Sequence, residues 1–254
     1  MQSVITRSAC FIVGLFGCAV VASAQCSAPC IAAVSNPFGV GQTTFTTPAI
    51  DTSGASFVAF SLSYLTTNQP VISDNKGNAA PTCLPAEAVS AGGSNRLCYL
   101  LSPAVGAGHT FTVTGTGDIY ATIAVAAFSG MSSATYTGLS NGTAVAGPTS
   151  SFQPGSVTPR SAGDLVIATV SAQFAGLTVL DIGSGFSITT QVSSHGAVNF
   201  GAALAWLVSP AGAAVNPTWT DTQSEGAGLT IASFSQPSQS SPSVSVTSGG
   251  PAIL

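Results

Sequence analysis

The chain reads as an all-β protein, an antiparallel β-sandwich of jelly-roll-like type built from an internally duplicated half. Three observations predict this. Apolar residues alternate with a period of two, glycine, proline, asparagine and aspartate punctuate the chain at short intervals, and a set of blocks recurs in the same order about 106 to 111 positions later. Strands that follow one another without helical periodicity between them argue against a parallel α/β sheet. Two tandem immunoglobulin-like domains are the alternative arrangement of the same halves.

The first element is a leader. "MQSVITRSA" carries one arginine, "CFIVGLFGCAVV" is an apolar core too short to span a bilayer comfortably, and "ASA" at positions 22–24 is a small-x-small cleavage signal. Residues 1–24 are therefore expected to be a signal peptide, with a lipoprotein box ending at Cys18 as a competing reading. The mature chain is expected to be secreted or held at the cell surface, with the periplasm as a further possibility, and to have no membrane span. Cleavage removes Cys10 and Cys18 and leaves Cys26, Cys30, Cys83 and Cys98. An even number in an oxidising compartment points to disulfides. Of the three pairings that four cysteines allow, Cys83–Cys98 with Cys26–Cys30 is preferred.

Residues 25–42 form an N-terminal segment and 43–236 the sandwich, with repeat halves of about 43–130 and 149–236. In "FVAFSLSYL", Val58, Phe60, Leu62 and Tyr64 share one face and Ala59, Ser61 and Ser63 the other, which predicts a strand with one buried face. "DLVIATVSAQF" repeats it, with Val166, Ala168, Val170 and Phe174 inward and Thr169, Ser171 and Gln173 outward. Around these strands, "VISDNKG" answers to "VLDIGSG", placing Asp74 over Asp181. "RLCYLLSP" answers to "ALAWLVSP", placing Tyr99 over Trp206 and Cys98 over Ala205, and "TIAVAAFSG" to "LTIASFSQ", placing Phe128 over Phe234. Residues 131–157, rich in Gly, Ser and Thr, are expected to link the halves, and 237–254 to form a flexible Pro/Ser/Gly-rich tail.

Charged residues make up 5% of the chain and the net charge is −4, so no basic patch exists to hold a phosphate backbone and nucleic acid is excluded as a partner. Groups that change protonation are scarce. "GLSNG" at 138–142 matches the G-x-S-x-G nucleophile elbow around Ser140, but without the strand-turn-helix context that the motif needs. His109 stands in "HTFTVT", where its counterpart in the second half is Val215, so a structural role is expected. His195 lies in a polar turn. No catalytic residue and no cofactor are assigned. Asp74, Asp181, Asp221 and Glu225 put oxygen donors in or near turns and are weak calcium candidates. None follows the twelve-residue EF-hand spacing. Tyr64, Tyr99, Trp206 and Trp219 are candidates to stack on sugar rings, with core packing as the competing role.

The blocks "TPAIDTSG", "ISDNKGN", "GHTFTVTG" and "IAVAAFSG", with "PGSVTP", "ALAWLV", "NPTWT" and "IASF", resemble a family of β-sandwich modules found in bacterial exported proteins and phage tail-associated proteins. The resemblance covers about residues 43–236. It implies a jelly-roll-like module that accompanies adhesive or carbohydrate-contacting domains, with no active site to carry over. Cys83 and Cys98 depart from the pattern. The function expected from all this is a non-catalytic structural or adhesive role, with glycans or other surface proteins as partners. A carbohydrate-binding module is the alternative, and a glycoside hydrolase the less favoured one.

Overall fold

The computed structural model describes residues 30–35, 38–65, 69–89, 92–131, 134–172, 180–193, 201–210 and 212–236. The first half contributes β1 (Cys30–Ser35), β2 (Phe38–Thr46), β3 (Ala55–Leu65), β4 (Val71–Asp74), β5 (Thr82–Cys83), β6 (Glu87–Val89), β7 (Gly93–Leu101) and β8 (Phe111–Ser129). The second contributes β9 (Thr135–Phe152), β10 (Leu165–Ala172), β11 (Asp181–Ile182), β12 (Ser187–Ser193), β13 (Gly201–Val208) and β14 (Trp219–Ser235). They form an eight-stranded and a six-stranded sheet, antiparallel throughout. Among the described residues no helix is long and apolar enough to cross a membrane.

The duplication is visible in the pairing. β3 lies between β7 and β8, with Phe57 opposite Leu101 and Phe128. β10 lies between β13 and β14, with Leu165 opposite Val208 and Phe234. Phe45 faces Val113 as Phe152 faces Trp219, and the isolated bridge Ile50–His109 returns as Val157–Val215. One equivalence read from the sequence changes. Asp181 stands opposite Thr220, the place that Val71 takes opposite Thr114, whereas Asp74 stands opposite Phe111. The turn after β11 spans 183–186, one residue earlier in the ladder register than the turn opened by Asp74 after β4, so matching the two aspartates by sequence slips the register.

Residues 131–157 are not a linker. They contain β9, an 18-residue strand that pairs along β14 and takes the place that β1 and β2 hold beside β8. Its side chains are mostly exposed Ser, Thr, Ala and Gly, anchored by buried Thr137 and Phe152. A strand that presents hydroxyls to water carries no strong alternation of large apolar residues, so its composition resembles that of a linker.

Each half has its own core. Val58, Phe60, Leu62, Tyr64, Cys98, Ile123 and Val125 meet Phe45, Ile72, Phe111 and Val113 where β8 runs on beneath β2 and β4. In the second half Val166, Ala168, Val170, Leu229 and Ile231 meet Phe152, Leu180 and Trp219. A third cluster joins the halves face to face: Phe57, Leu97, Tyr99, Ala126 and Phe128 against Leu165, Ile167, Leu204, Ala232 and Phe234. The all-β sandwich is thus built from two half-sandwiches that share a buried face.

That shared face overturns the outward assignment of Ala59, Ser61, Ser63, Thr169 and Ser171, all of which are fully buried. Their small side chains let the sheets approach, and their hydroxyls bond across the junction. Ser63 bonds to its own counterpart Ser171, Asn95 Nδ2 donates to Thr169 Oγ1 at 3.0 Å, and Ser61 Oγ donates to Asn95 Oδ1 at 3.4 Å. The aromatic contacts are reciprocal. Tyr99 meets Phe234 edge-on at 4.9 Å, and the equivalent pair Trp206 and Phe128 does so at 5.7 Å, the contact pattern of a two-fold interface.

β6 crosses this junction so closely that position 228 must be glycine. A Cβ there would come 2.8 Å from the Glu87 carbonyl oxygen and 3.1 Å from that of Ala88. Both obstacles are backbone, so Gly228→Val is expected to destabilise by about 1–3 kcal/mol, as overpacking does, read as a shift in the urea midpoint. The counterpart in the first half is Thr122, whose side chain is fully buried.

Candidate functional site

The densest polar grouping sits at the end of β4. Asp74 opens a turn closed by Gly77 at φ 78°, and its Oδ1 accepts the amides of Lys76 (2.8 Å) and Asn78 (3.2 Å). Its Oδ2 accepts Asn78 Nδ2 at 2.7 Å and lies 3.4 Å from His109 Nε2. His109 Nδ1 shares a 2.8 Å hydrogen bond with Thr52 Oγ1, and the imidazole lies 4.2 Å from the Phe111 ring. Hydroxyl, imidazole and carboxylate follow one another in the order of a catalytic triad. The arrangement cannot act as one, because Thr52 and His109 are fully buried and Thr52 Oγ1 also accepts the Gly106 amide at 3.1 Å. Asn75 donates to the Gly108 carbonyl and Lys76 Nζ to that of Ala107, both at 2.8 Å, so the cluster stitches the β4 turn to the loop before β8.

Burial pushes the His109 pKa below its ordinary value, and the Asp74 carboxylate offsets this only in part. Burial would raise Asp74, but the Asn78 side chain, the amides of Asn78 and Lys76, and His109 together outweigh it and hold the carboxyl low. For His109 the unfolded chain binds a proton that the folded chain refuses, so stability is present above about pH 6.5 and is lost as pH falls below it. Between pH 7.5 and 6, above the carboxylate range, the urea midpoint is expected to fall with pH. His109→Val, the residue of the second half, should flatten that slope. A slope unchanged in the variant would rule out His109 as its source.

The other sequence candidates disperse. Trp219 is 0%, Tyr64 1% and Tyr99 6% exposed, and Trp206 is half-buried against Phe128, so the expected sugar-stacking aromatics are core side chains. The four calcium candidates do not converge. Asp74 is committed to its turn and Asp181 is exposed on β11. Asp221 is buried, with its Oδ1 accepting the Gln223 amide and its pKa raised by burial, and Glu225 is buried where the β9–β14 register shifts. Among the described residues no three His, Cys, Asp or Glu gather. Cys83 and Cys98 form a disulfide between β5 and β7. Cys30 opens β1 opposite Ser129, while Cys26, Phe174 and His195 lie outside the described residues.

A cleft that the sequence did not announce opens where the halves meet. About 240 Å³ in volume, it is lined by Leu84, Pro85 and Glu87 from the first half and by Ser140, Asn141, Gly142 and Thr230 from the second. Glu87 lies over Gly142, where a Cβ would overlap its carboxylate, and burial raises its pKa. It has no hydrogen-bond or ion-pair partner among the described residues. Ser140 is an exposed residue of β9 and not the tip of a nucleophile elbow. Its Oγ accepts the Tyr136 hydroxyl at 2.7 Å. Residues 53 positions apart meet here, so no local pattern could have joined them. The one usable signal was Gly228, standing where the first half has Thr122.

No family model, curated protein or solved structure matches the chain. The fold and the site's geometry therefore define the class, an all-β antiparallel sandwich, and functional argument rests on the residues themselves.

Proposed function

We propose that the chain is an exported, non-catalytic β-sandwich protein, secreted or held at the cell surface, with a structural or adhesive role. The observation that carries this reading is the use made of His109 and Asp74. The residues best suited to acid-base chemistry are sealed into a loop clamp. A sparsely charged, hydroxyl-rich outer surface also supports it. On the outer face of β2 and β8, Thr44 bonds to Thr114 and Thr46 to Thr112 in cross-strand hydroxyl rungs. The leader, the Cys83–Cys98 bridge and the resemblance to exported modules fit the same reading.

The test is adhesion by the exported protein. Beads coated with the mature chain are expected to bind glycan- or protein-coated surfaces, and N-terminal sequencing is expected to begin at Gln25. Turnover of chromogenic glycosides or esters that is lost in His109→Val would overturn the non-catalytic reading.

A further inference from the structure

We infer that the junction cleft is a binding site for a single neutral sugar unit, held through a vicinal pair of its hydroxyls by Glu87. This rests on the adhesive reading and names the chemistry that the adhesive contact would recognise.

The cleft offers what a sugar ring needs. A carboxylate accepts two hydrogen bonds at once, and charge-assisted bonds are the strong ones. The Glu87 carboxylate has no protein partner to displace among the described residues. Ser140 Oγ has one lone pair filled by the Tyr136 hydroxyl, which leaves its own proton to donate. Asn141 contributes only backbone to the cleft wall, since its side chain lies on the other face of β9 against Gly155, with Oδ1 accepting the Gly142 amide and Nδ2 donating to the Ser156 carbonyl at 3.3 Å. One donor, Ser140 Oγ, and one acceptor, the Glu87 carboxylate, therefore stand on the cleft side of β9, while Leu84 and Pro85 supply an apolar wall for the C–H face of a ring. No cation lines the cleft, and Glu87 is its one charged group, which disfavours anionic sugars. At about 240 Å³ the space suits one sugar residue, below the usual range for a drug-sized ligand.

The site depends on the duplication having diverged. Gly142 and Gly228 admit β6 and its carboxylate into the second half, and the equivalent of Gly228 is Thr122. The cleft is made by the first half's β6 on the second half's β9.

The experiment titrates the mature chain with methyl α-mannoside, methyl β-glucoside, methyl β-galactoside and N-acetylglucosamine, followed by saturation-transfer NMR and calorimetry. At least one is expected to bind at millimolar concentration. Glu87→Gln should weaken it by about tenfold or more, since a bond to a charged acceptor becomes a neutral one, and Ser140→Ala should weaken it less. Ser140 is exposed and Glu87 half-buried, and unchanged thermal unfolding of the variants shows that the fold is kept. Failure of all four probes, or binding indifferent to both substitutions, overturns the assignment. So does a primary amine such as ethanolamine binding in a Glu87-dependent way while the glycosides do not. Coated beads that adhere equally well with both variants sink this site and leave the adhesive reading standing. Beads that bind nothing sink the adhesive reading, and the glycoside titration still judges the cleft by itself.

Discussion

Phe57→Ala is expected to cost about 3–5 kcal/mol, because it opens a cavity that the surrounding strands can only partly fill. Phe57 is 0% exposed, and its ring lies 4.7 Å from Phe234, 5.9 Å from Phe128 and 6.4 Å from Tyr99. It belongs to the cluster shared by the halves and not to the core of either, so the loss falls on their association. The duplication supplies the control. Leu165 holds the equivalent place, so Phe57→Leu should cost less than about 1.5 kcal/mol if volume decides the effect. The position of the tryptophans makes the experiment discriminating. Both, Trp206 and Trp219, lie in the second half, so their fluorescence reports on the half that does not carry the substitution. If the halves unfold as one unit, urea titration of Phe57→Ala will move the fluorescence midpoint as far as the circular-dichroism midpoint. A fluorescence midpoint that stays put while the dichroism splits into two steps would show two independent domains.

Much of this architecture was legible because period-two patterning reports a strand and the face it turns to its own core. Val58, Phe60, Leu62 and Tyr64, and likewise Val166, Ala168 and Val170, lie where alternation puts them. Alternation could not report what covers the opposite face. Serine and threonine suit water and suit a close sheet-to-sheet junction equally well, since paired hydroxyls satisfy one another when buried. Ser63 and Ser171 therefore read as surface residues and are the centre of the interface. β9 was missed for the opposite reason, being a long strand whose side chains mostly face solvent. The junction cleft was illegible because Glu87 and Ser140 belong to different halves, and only the packing of β6 on Gly142 and Gly228 brings them together.

Removing the Cys83–Cys98 bridge is expected to cost about 3 kcal/mol, the chain-entropy value for a loop of its 15-residue separation. The suitable variant is Cys83→Ser with Cys98→Ala. Cys98 is fully buried and its counterpart is Ala205, whereas Cys83 is half-buried and tolerates a hydroxyl. The structure also says why one half alone has the bridge. In the second half the strand beside β13 is β12, a seven-residue element, and Ile188 packs opposite Ala205. In the first half the same edge of β7 is broken into β5, two residues long, and β6, three residues long, because the chain turns away to lay Glu87 across β14. Two residues of ladder are too few to hold an edge strand alone, so the covalent bond does what the longer ladder does in β12. The double variant should therefore lose amide protection at Leu84, whose N–H donates to the Leu97 carbonyl at 2.9 Å, while β12 exchanges as before. It should also unfold at the same urea midpoint with or without reductant, whereas the unaltered chain should drop to that midpoint only when reduced. Free thiols at 83 and 98 in the native protein, or an unchanged midpoint in the double variant, would show that the two-residue ladder holds unaided and that the path of β6 across the junction does not depend on the bridge.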